Sequence, residues 1–282
     1  MTIAYLNGQF LPLTEARVPA MDRGFLFGDG VYEVIPVYNN KTFRLEQHLQ
    51  RFRQSLQAIA LEITLTDDEL TDVLSELIRR NREGNTQSLY LQATRGPAPI
   101  REHAFPQAIT PTLFAYSATL QPKSITELSA GISVITVPDM RWQRCDIKAI
   151  TLLANVLARQ QAIVAGCQEA IFIHNNYAIE GTASNLFIVQ DGVIITPPLS
   201  NHILGGITRD LILELAIQHN FLLEEADISL EQLRKADEIW LTSASREIMP
   251  VIQLDGNVVN NGKVGPLWVK IMQHYHDFKL TF

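Results

Sequence analysis

Lys148 and Glu180 are the two side chains whose surroundings promise chemistry. Lys148 ends the run Arg141-Trp142-Gln143-Arg144-Cys145-Asp146-Ile147-Lys148 and is followed by the apolar Ala149-Ile150-Thr151-Leu152-Leu153. A lysine holds an aldehyde as a Schiff base only where its neutral amine is accessible, and nearby cations and an apolar setting favour that form. Arg141 and Arg144 are read as those cations, and the residues after Lys148 as the apolar setting. Taken alone, such a lysine reads as a surface residue paired with Asp146. Glu180 shifts the balance, because it follows the strand-like Tyr177-Ala178-Ile179 and precedes Gly181-Thr182-Ala183-Ser184-Asn185. A carboxylate held against a pyridine nitrogen keeps that nitrogen protonated and makes the ring an electron sink. Together the two residues read as a site for pyridoxal phosphate.

The phosphate of such a cofactor needs backbone N–H groups and a cation. Gly205-Gly206-Ile207-Thr208 precedes the helical pattern of Leu211, Ile212 and Leu215, so the Ile207 and Thr208 amides would point at an anion as helix N-termini do. The Thr208 hydroxyl adds a donor. Thr242-Ser243-Ala244-Ser245, at a strand end, offers more donors, and Arg51 offers a planar fork. A substrate carboxylate needs its own cations. In Arg95-Gly96-Pro97-Ala98-Pro99-Ile100-Arg101-Glu102-His103, Arg101 and His103 stand two residues apart, and an extended backbone aims them at one spot. Tyr32 adds a phenolic donor.

Two sets of elements must carry these residues. Asn7-Gly8 marks a hairpin, since both residues tolerate positive φ. Val31 to Ile35 alternates as a strand, Pro36 implies an edge or a bulge, and Asn39-Asn40 turns the chain back. Leu45, Leu49, Phe52, Leu56 and Ile59 make one helical stripe with Arg51 and Arg53 beside it. Thr66 and Glu69 form a capping-box pattern ahead of a second helix, and strands are expected at 88–94 and 112–119. This N-terminal α/β domain is set at residues 1–120, with an interdomain linker at 121–130 and a C-terminal cofactor-binding domain at 131–282. The latter is expected to hold a strand at 132–137, a helix over about 150–165 closed by Gly166, and hairpins turning at Asn175-Asn176 and Asp191-Gly192. A helix after Gly206, a strand near 239–241, a hairpin at Asp255-Gly256 and a terminal helix complete the expectation.

Composition narrows the function classes. A chain of 282 residues, 46% of them apolar, can bury one large core or two smaller ones. A net charge of −7 argues against a nucleic-acid surface, so anionic substrates must be met by local arginines. No apolar run reaches the length of a membrane span and no leader-like segment opens the chain, so a cytoplasmic setting is expected. Cys145 and Cys167 have no metal or disulfide spacing and are expected to be reduced. His274 and His276 lack further ligands, and no metal is expected. Gly28-Asp29-Gly30 is too short for a dinucleotide fingerprint.

Taken in order, Phe27-Gly28-Asp29-Gly30-Val31-Tyr32-Glu33, the Arg-x-His loop, Arg144-Cys145-Asp146-Ile147-Lys148, Glu180-Gly181-Thr182-Ala183-Ser184-Asn185 and Gly206-Ile207-Thr208-Arg209 closely resemble the class IV aminotransferases, in particular their D-amino acid branch. Branched-chain transaminases and aminodeoxychorismate lyases share the Glu-Gly-Thr-type stretch, whereas Arg-x-His is what the D-amino acid branch looks like.

The resemblance implies a fold type IV enzyme of mixed α/β (α+β) class, with a smaller N-terminal α/β domain and a larger, β-barrel-like C-terminal domain with helices. It implies that Lys148 carries pyridoxal 5'-phosphate and shuttles the proton, and that Glu180 binds the pyridine nitrogen. Arg51, Ile207, Thr208, Ser243 and Ala244 would hold the phosphate, and Leu204 would pack on the ring. Tyr32, Arg101 and His103 would clamp the substrate carboxylate, the last two from the other subunit of a homodimer. The implied reaction is ping-pong transamination between D-amino acids and 2-oxo acids, D-alanine with 2-oxoglutarate giving pyruvate and D-glutamate. A branched-chain transaminase, an aminodeoxychorismate lyase and a non-enzymatic vitamer-binding protein are the alternatives. Ala244, where relatives can carry threonine, and Pro36, where some carry lysine, depart from the pattern.

Overall fold

The computed structural model describes residues 2–82, 85–121 and 123–281. Two compact units make up the chain, one of residues 2–121 with Ile147–Thr151, the other of residues 123–146 with 152–281.

In the first unit β1 (Ile3–Leu6) turns at Asn7 (φ 47°) and Gly8 (φ 91°) into β2 (Gln9–Pro12), as the hairpin signal predicts. A short helix α1 (Arg23–Phe27) follows, capped by the Asp22 carboxylate on the Gly24 N–H. Then come β3 (Gly30–Tyr38), β4 (Lys41–Thr42), α2 (Leu45–Ala58), α3 (Asp67–Arg80), β5 (Thr86–Thr94) and β6 (Thr112–Thr119). The six strands run in the order β2-β1-β6-β5-β3-β4, all antiparallel. β3 continues through Pro36 without a bulge, and near Pro36 its far side meets only the two residues of β4, so the missing N–H disrupts no long ladder. Thr66 and Glu69 form the expected capping box of α3. Alternation in β3, β5 and β6 sends Val31, Ile35, Leu89, Leu91, Leu113 and Ala115 to one face, where Leu49, Phe52, Leu56, Leu70, Leu74 and Leu77 of the helices cover them. On the opposite face Tyr32, Tyr90, Phe114 and Tyr116 form a half-buried aromatic row, with Tyr32 stacked on Tyr90 at 5.7 Å.

The second unit opens with a capped helical turn, α4 (Ile125–Leu128), inside the stretch expected to be a linker; Pro122 of that stretch lies outside the described residues. β7 (Ile132–Pro138), α5 (Leu153–Val164), β8 (Glu169–His174), β9 (Tyr177–Gly181), β10 (Asn185–Gln190), β11 (Val193–Thr196), α6 (Ile207–Gln218) and β12 (Leu223–Glu225) follow. β13 (Ile228–Ser229), α7 (Leu230–Lys235), β14 (Glu238–Ser243), β15 (Glu247–Leu254), β16 (Asn257–Val258) and α8 (Pro266–Leu280) complete it. Neighbouring strands β10-β14-β15-β7-β8-β9 close into a barrel through a single further pair, Asn185 opposite Glu180. Leu186, Ile188, Ile239, Leu241, Met249 and Val251 fill one core of this unit. Helix α6 packs on α8 and on β14.

Neither unit is one continuous stretch of chain. Residues 123–146 belong with the second unit, and Ile147–Thr151, which carry Lys148, return to the first. The physical reason is apolar: Ile147 and Ala149 are buried in the core under β3, and Ala149 bridges Val31. Helix α5 accordingly begins at Leu153, not near 150.

Candidate active site

Lys148 is held by its backbone within the first unit. Its carbonyl accepts from the Tyr32 N–H at 3.0 Å, and its own N–H donates to Ser55 Oγ at 3.2 Å. With Ile147 and Ala149 buried on either side, the side chain is turned to the other face, where Nζ lies 4.3 Å from the centre of the Tyr32 ring. The cations expected to act on this lysine are otherwise committed. Arg144 pairs with Asp146 at 2.9 Å in an exposed ion pair, and Arg141 is held by two carboxylates of the second unit.

Near the lysine, β3 and α2 build a buried triad that the sequence reading left unassigned. Arg51 forks onto Glu33, Nε to Oε1 and Nη2 to Oε2, each at 2.7 Å, and His48 Nδ1 lies 2.8 Å from Oε2. Burial raises the Glu33 carboxyl, but the Arg51 guanidinium and then His48 outweigh it and hold the group well below the usual carboxylate range. Burial lowers His48, with the Glu33 hydrogen bond pulling the other way, so the imidazole stays neutral and donates from Nδ1. Arg51, expected on a phosphate, therefore has two of its donors fixed by Glu33.

The residues expected to clamp the substrate carboxylate also lie in the first unit. Arg101 and His103 are exposed, and both rest on Phe27, the guanidinium 4.7 Å and the imidazole 5.3 Å from the ring centre.

In the second unit Glu180 is buried at the end of β9. Its Oε1 accepts from Arg141 Nη1, and its Oε2 from the Leu204 N–H at 3.2 Å and the Asn185 amide at 3.3 Å. Asn185 also donates to the Leu204 carbonyl at 2.7 Å, so the backbone of Leu204 is tied on both sides. Burial pushes the Glu180 carboxyl up to about 7, against the pull of Arg141 and the Leu204 N–H. Arg141 is itself held by Asp139 through Nε (2.9 Å) and Nη2 (2.8 Å), and by the His202 carbonyl at 3.0 Å. Asp139, His174 and His202 bring ligand-type atoms within 4.8 Å of one another, but both Asp139 oxygens already face Arg141, whose charge opposes a cation there.

Around the expected phosphate donors the chain is closely built. Helix α6 starts at Gly206, and the Ile207 and Thr208 amides stand in its first turn, where no acceptor exists within a helix. A Cβ on Gly206 would collide with Asn185 Oδ1, so only glycine lets the turn approach β10. Asn185 in turn pairs with Thr242 of β14, Ser243 ends that strand and Ala244 enters the turn beyond it, both half-buried. The Thr242 and Ser184 hydroxyls are buried without a protein partner, the condition of groups built to meet something else.

The family model Amino-transferase class IV matches residues 30–254, and the chain belongs to that family. It is 40% identical over 275 residues to the D-alanine aminotransferase of Staphylococcus aureus strain MW2, covering 97% of this chain and 96% of that protein. With the D-alanine aminotransferase of Bacillus licheniformis the identity is 41% over 263 residues, covering 93% and 91%. Among solved structures, the branched-chain amino acid aminotransferase of Escherichia coli superposes with a TM-score of 0.88 at 28% identity, covering 98% of this chain and 93% of that one. The T.th. branched-chain amino acid aminotransferase with pyridoxamine 5'-phosphate gives a TM-score of 0.90 at 26% identity, with the same coverage. The protein is an aminotransferase of mixed α/β fold whose cofactor is pyridoxal 5'-phosphate, and the unpartnered Thr242 and Ser184 hydroxyls, the first turn of α6 and the buried Glu180 fit that group. Among the described residues no helix is long and apolar enough to cross a membrane.

Proposed function

We propose that this chain is a D-amino acid transaminase that interconverts D-alanine and 2-oxoglutarate with pyruvate and D-glutamate. The observation that carries the reading is the pair Arg101 and His103, presented together on Phe27, in a chain 40% identical to D-alanine aminotransferases.

Bound to this chain, the cofactor supplies an aldehyde to take up the amino group and a pyridinium ring to stabilise the carbanion left by the α-proton. The protein's own residues do the rest. Lys148 Nζ would hold the aldehyde and, once the substrate's amino group has displaced it, its freed amine would take the α-proton and return it. Glu180 would keep the ring nitrogen protonated; a cation against its buried carboxylate would offset the desolvation that raises its pKa, while Arg141, Leu204 and Asn185 fix its direction. Ile207 and Thr208 at the start of α6, Ser243 at the end of β14, Ala244 in the turn after it, and Arg51 would hold the phosphate. Leu204 would pack on the ring. Tyr32, Arg101 and His103 take the substrate carboxylate and so decide which α-hydrogen faces the lysine.

The working unit we infer is a homodimer in the cytoplasm. Helix α5 buries Ala158 and Ala162 but exposes Leu153, Val156, Leu157 and Val164 as one stripe, the last 80% exposed. A second copy of the chain is the occupant suited to such a face. Such a dimer would let Arg101 and His103, exposed in one chain, serve the site of its partner. Both cysteines are free, as a reducing compartment favours.

The test is a half-reaction. Purified yellow protein mixed with D-alanine and no oxo acid should lose its cofactor-aldehyde absorbance, and L-leucine should leave it unchanged. Bleaching by L-leucine alone would move the chain to the branched-chain group, and no response to any amino acid would favour a lyase or a binding protein. Lys148→Ala should lose turnover by at least about 10²–10⁴-fold.

A further inference from the structure

Arg23 stands outside the chemistry just described, yet it is one of the most heavily engaged side chains in the first unit. It is 4% exposed on α1. Its Nε donates to Asp29 Oδ2 at 2.7 Å, and its other two nitrogens turn to three successive carbonyls of the loop that carries the clamp: Nη1 to Glu102 at 2.5 Å and Ala104 at 3.3 Å, Nη2 to His103 at 3.0 Å. Its backbone N–H holds the start of the same loop through the Gly96 carbonyl at 2.9 Å.

The anchoring of this guanidinium is itself deep. Asp29 is shared with Arg95, which donates Nε at 2.8 Å and Nη2 at 3.1 Å, and Arg95 reaches on to the carbonyls of Ile59 and Ala60 at the end of α2. Two guanidinium groups on one carboxylate leave a positive charge directed at carbonyl oxygens. No strand or helix supports residues 101–105, so these bonds take the place of a ladder. Arg23 also lies over the Phe27 ring at 4.9 Å, the ring on which Arg101 and His103 rest.

We propose that Arg23 is a positioning residue for substrate recognition: it fixes the backbone of Glu102, His103 and Ala104 and thereby sets where Arg101 and His103 present their side chains. This rests on the reading of those two residues as the carboxylate clamp. Arg23 touches no reacting group, so removing its fork should weaken substrate binding and leave the proton transfer at Lys148 intact.

The test uses the holoenzyme with Arg23→Gln and Arg23→Lys. Lysine keeps a charge on Asp29 but cannot reach three carbonyls, so it serves where the glutamine variant folds poorly. Both should keep the cofactor absorbance, raise KM for D-alanine about tenfold and change kcat less than about threefold. Combined with Arg101→Ala, either variant should add little to the loss, because the two act through one contact. Limited trypsin digestion gives a readout independent of turnover: cleavage after Arg101, identified by fragment mass, should be roughly tenfold faster once the loop is released. An unchanged KM, full additivity with Arg101→Ala, or an unchanged cleavage rate in a folded variant would overturn the proposal. Wild-type protein inert towards D-alanine would remove the clamp reading and this inference together, whereas an active wild type with insensitive Arg23 variants would remove this inference alone.

Discussion

Asn185 stands opposite Glu180 in the pair that closes the barrel, and its side-chain amide donates both to Glu180 Oε2 and to the Leu204 carbonyl. The strand closure and the aim of the buried carboxylate are thus one structure. Gly206 presses on the same asparagine from the start of α6.

Substituting Gly206→Ala therefore tests the whole corner. The added methyl would run into Asn185 Oδ1 and force the amide from its two acceptors. Overpacking of this kind costs about 1–3 kcal/mol. Urea unfolding of the cofactor-free protein should show that loss, and titration with pyridoxal phosphate should show about tenfold weaker binding, equivalent to about 1.4 kcal/mol. Wild-type values for both would mean that the turn relaxes freely.

Glu180 makes stability depend on pH in one direction. Its folded pKa, about 7, is raised above the ordinary 4.5, so the folded state holds a proton that the unfolded chain releases. Stability through this group is full below pH 4.5 and declines as pH rises towards 7, by up to about 3 kcal/mol. In cofactor-free protein, the stability of Glu180→Gln relative to wild type should increase between pH 5 and 8. A difference constant with pH would show that Arg141 already compensates the burial.

Glu33 and His48 act in the opposite direction. The Glu33 carboxyl is held below its ordinary value of 4.5 by Arg51, and His48 is held below 6.5 by burial. Each contributes stability that is full above its ordinary value and is lost as pH falls from there towards its lower folded value. Glu33→Gln should destabilise the protein by about 3–5 kcal/mol at pH 7, because it leaves the Arg51 charge buried and uncompensated. The deficit should hold down to about pH 4.5 and shrink below it, as followed by urea midpoints.

The stripe on α5 predicts a change of assembly. Leu157→Asp places a charge at a position 56% exposed in one chain, so the subunit should fold as before. Sedimentation should then report a monomer where wild type sediments as a dimer, and activity should fall with it. Unchanged sedimentation would assign the interface elsewhere.

Much of the fold was legible because it rests on local rules. The Thr66–Glu69 box, the glycine start of α6 and the Asn-Asn and Asp-Gly turns each follow from neighbouring residues. The partners of the key groups were not, because they come from distant segments. Arg141, read as a cation acting on Lys148, belongs to Asp139 and to Glu180, 39 residues further on. Glu33 and His48, 15 residues apart, meet only once β3 and α2 pack. Asp29 and Glu33 stood inside the stretch that suggested the family, and their pairing with arginines is what the sequence pattern left unstated.

Residues 147–151 belong to the first unit although the chain on either side of them builds the second. During synthesis, then, the first 121 residues emerge without the segment that completes their core; Ile147 and Ala149 arrive only after β7 has been made. A polypeptide stopped at the apparent boundary would leave β3 bare where Ala149 bridges it, and a ribosome must carry the chain past the lysine before either half can finish.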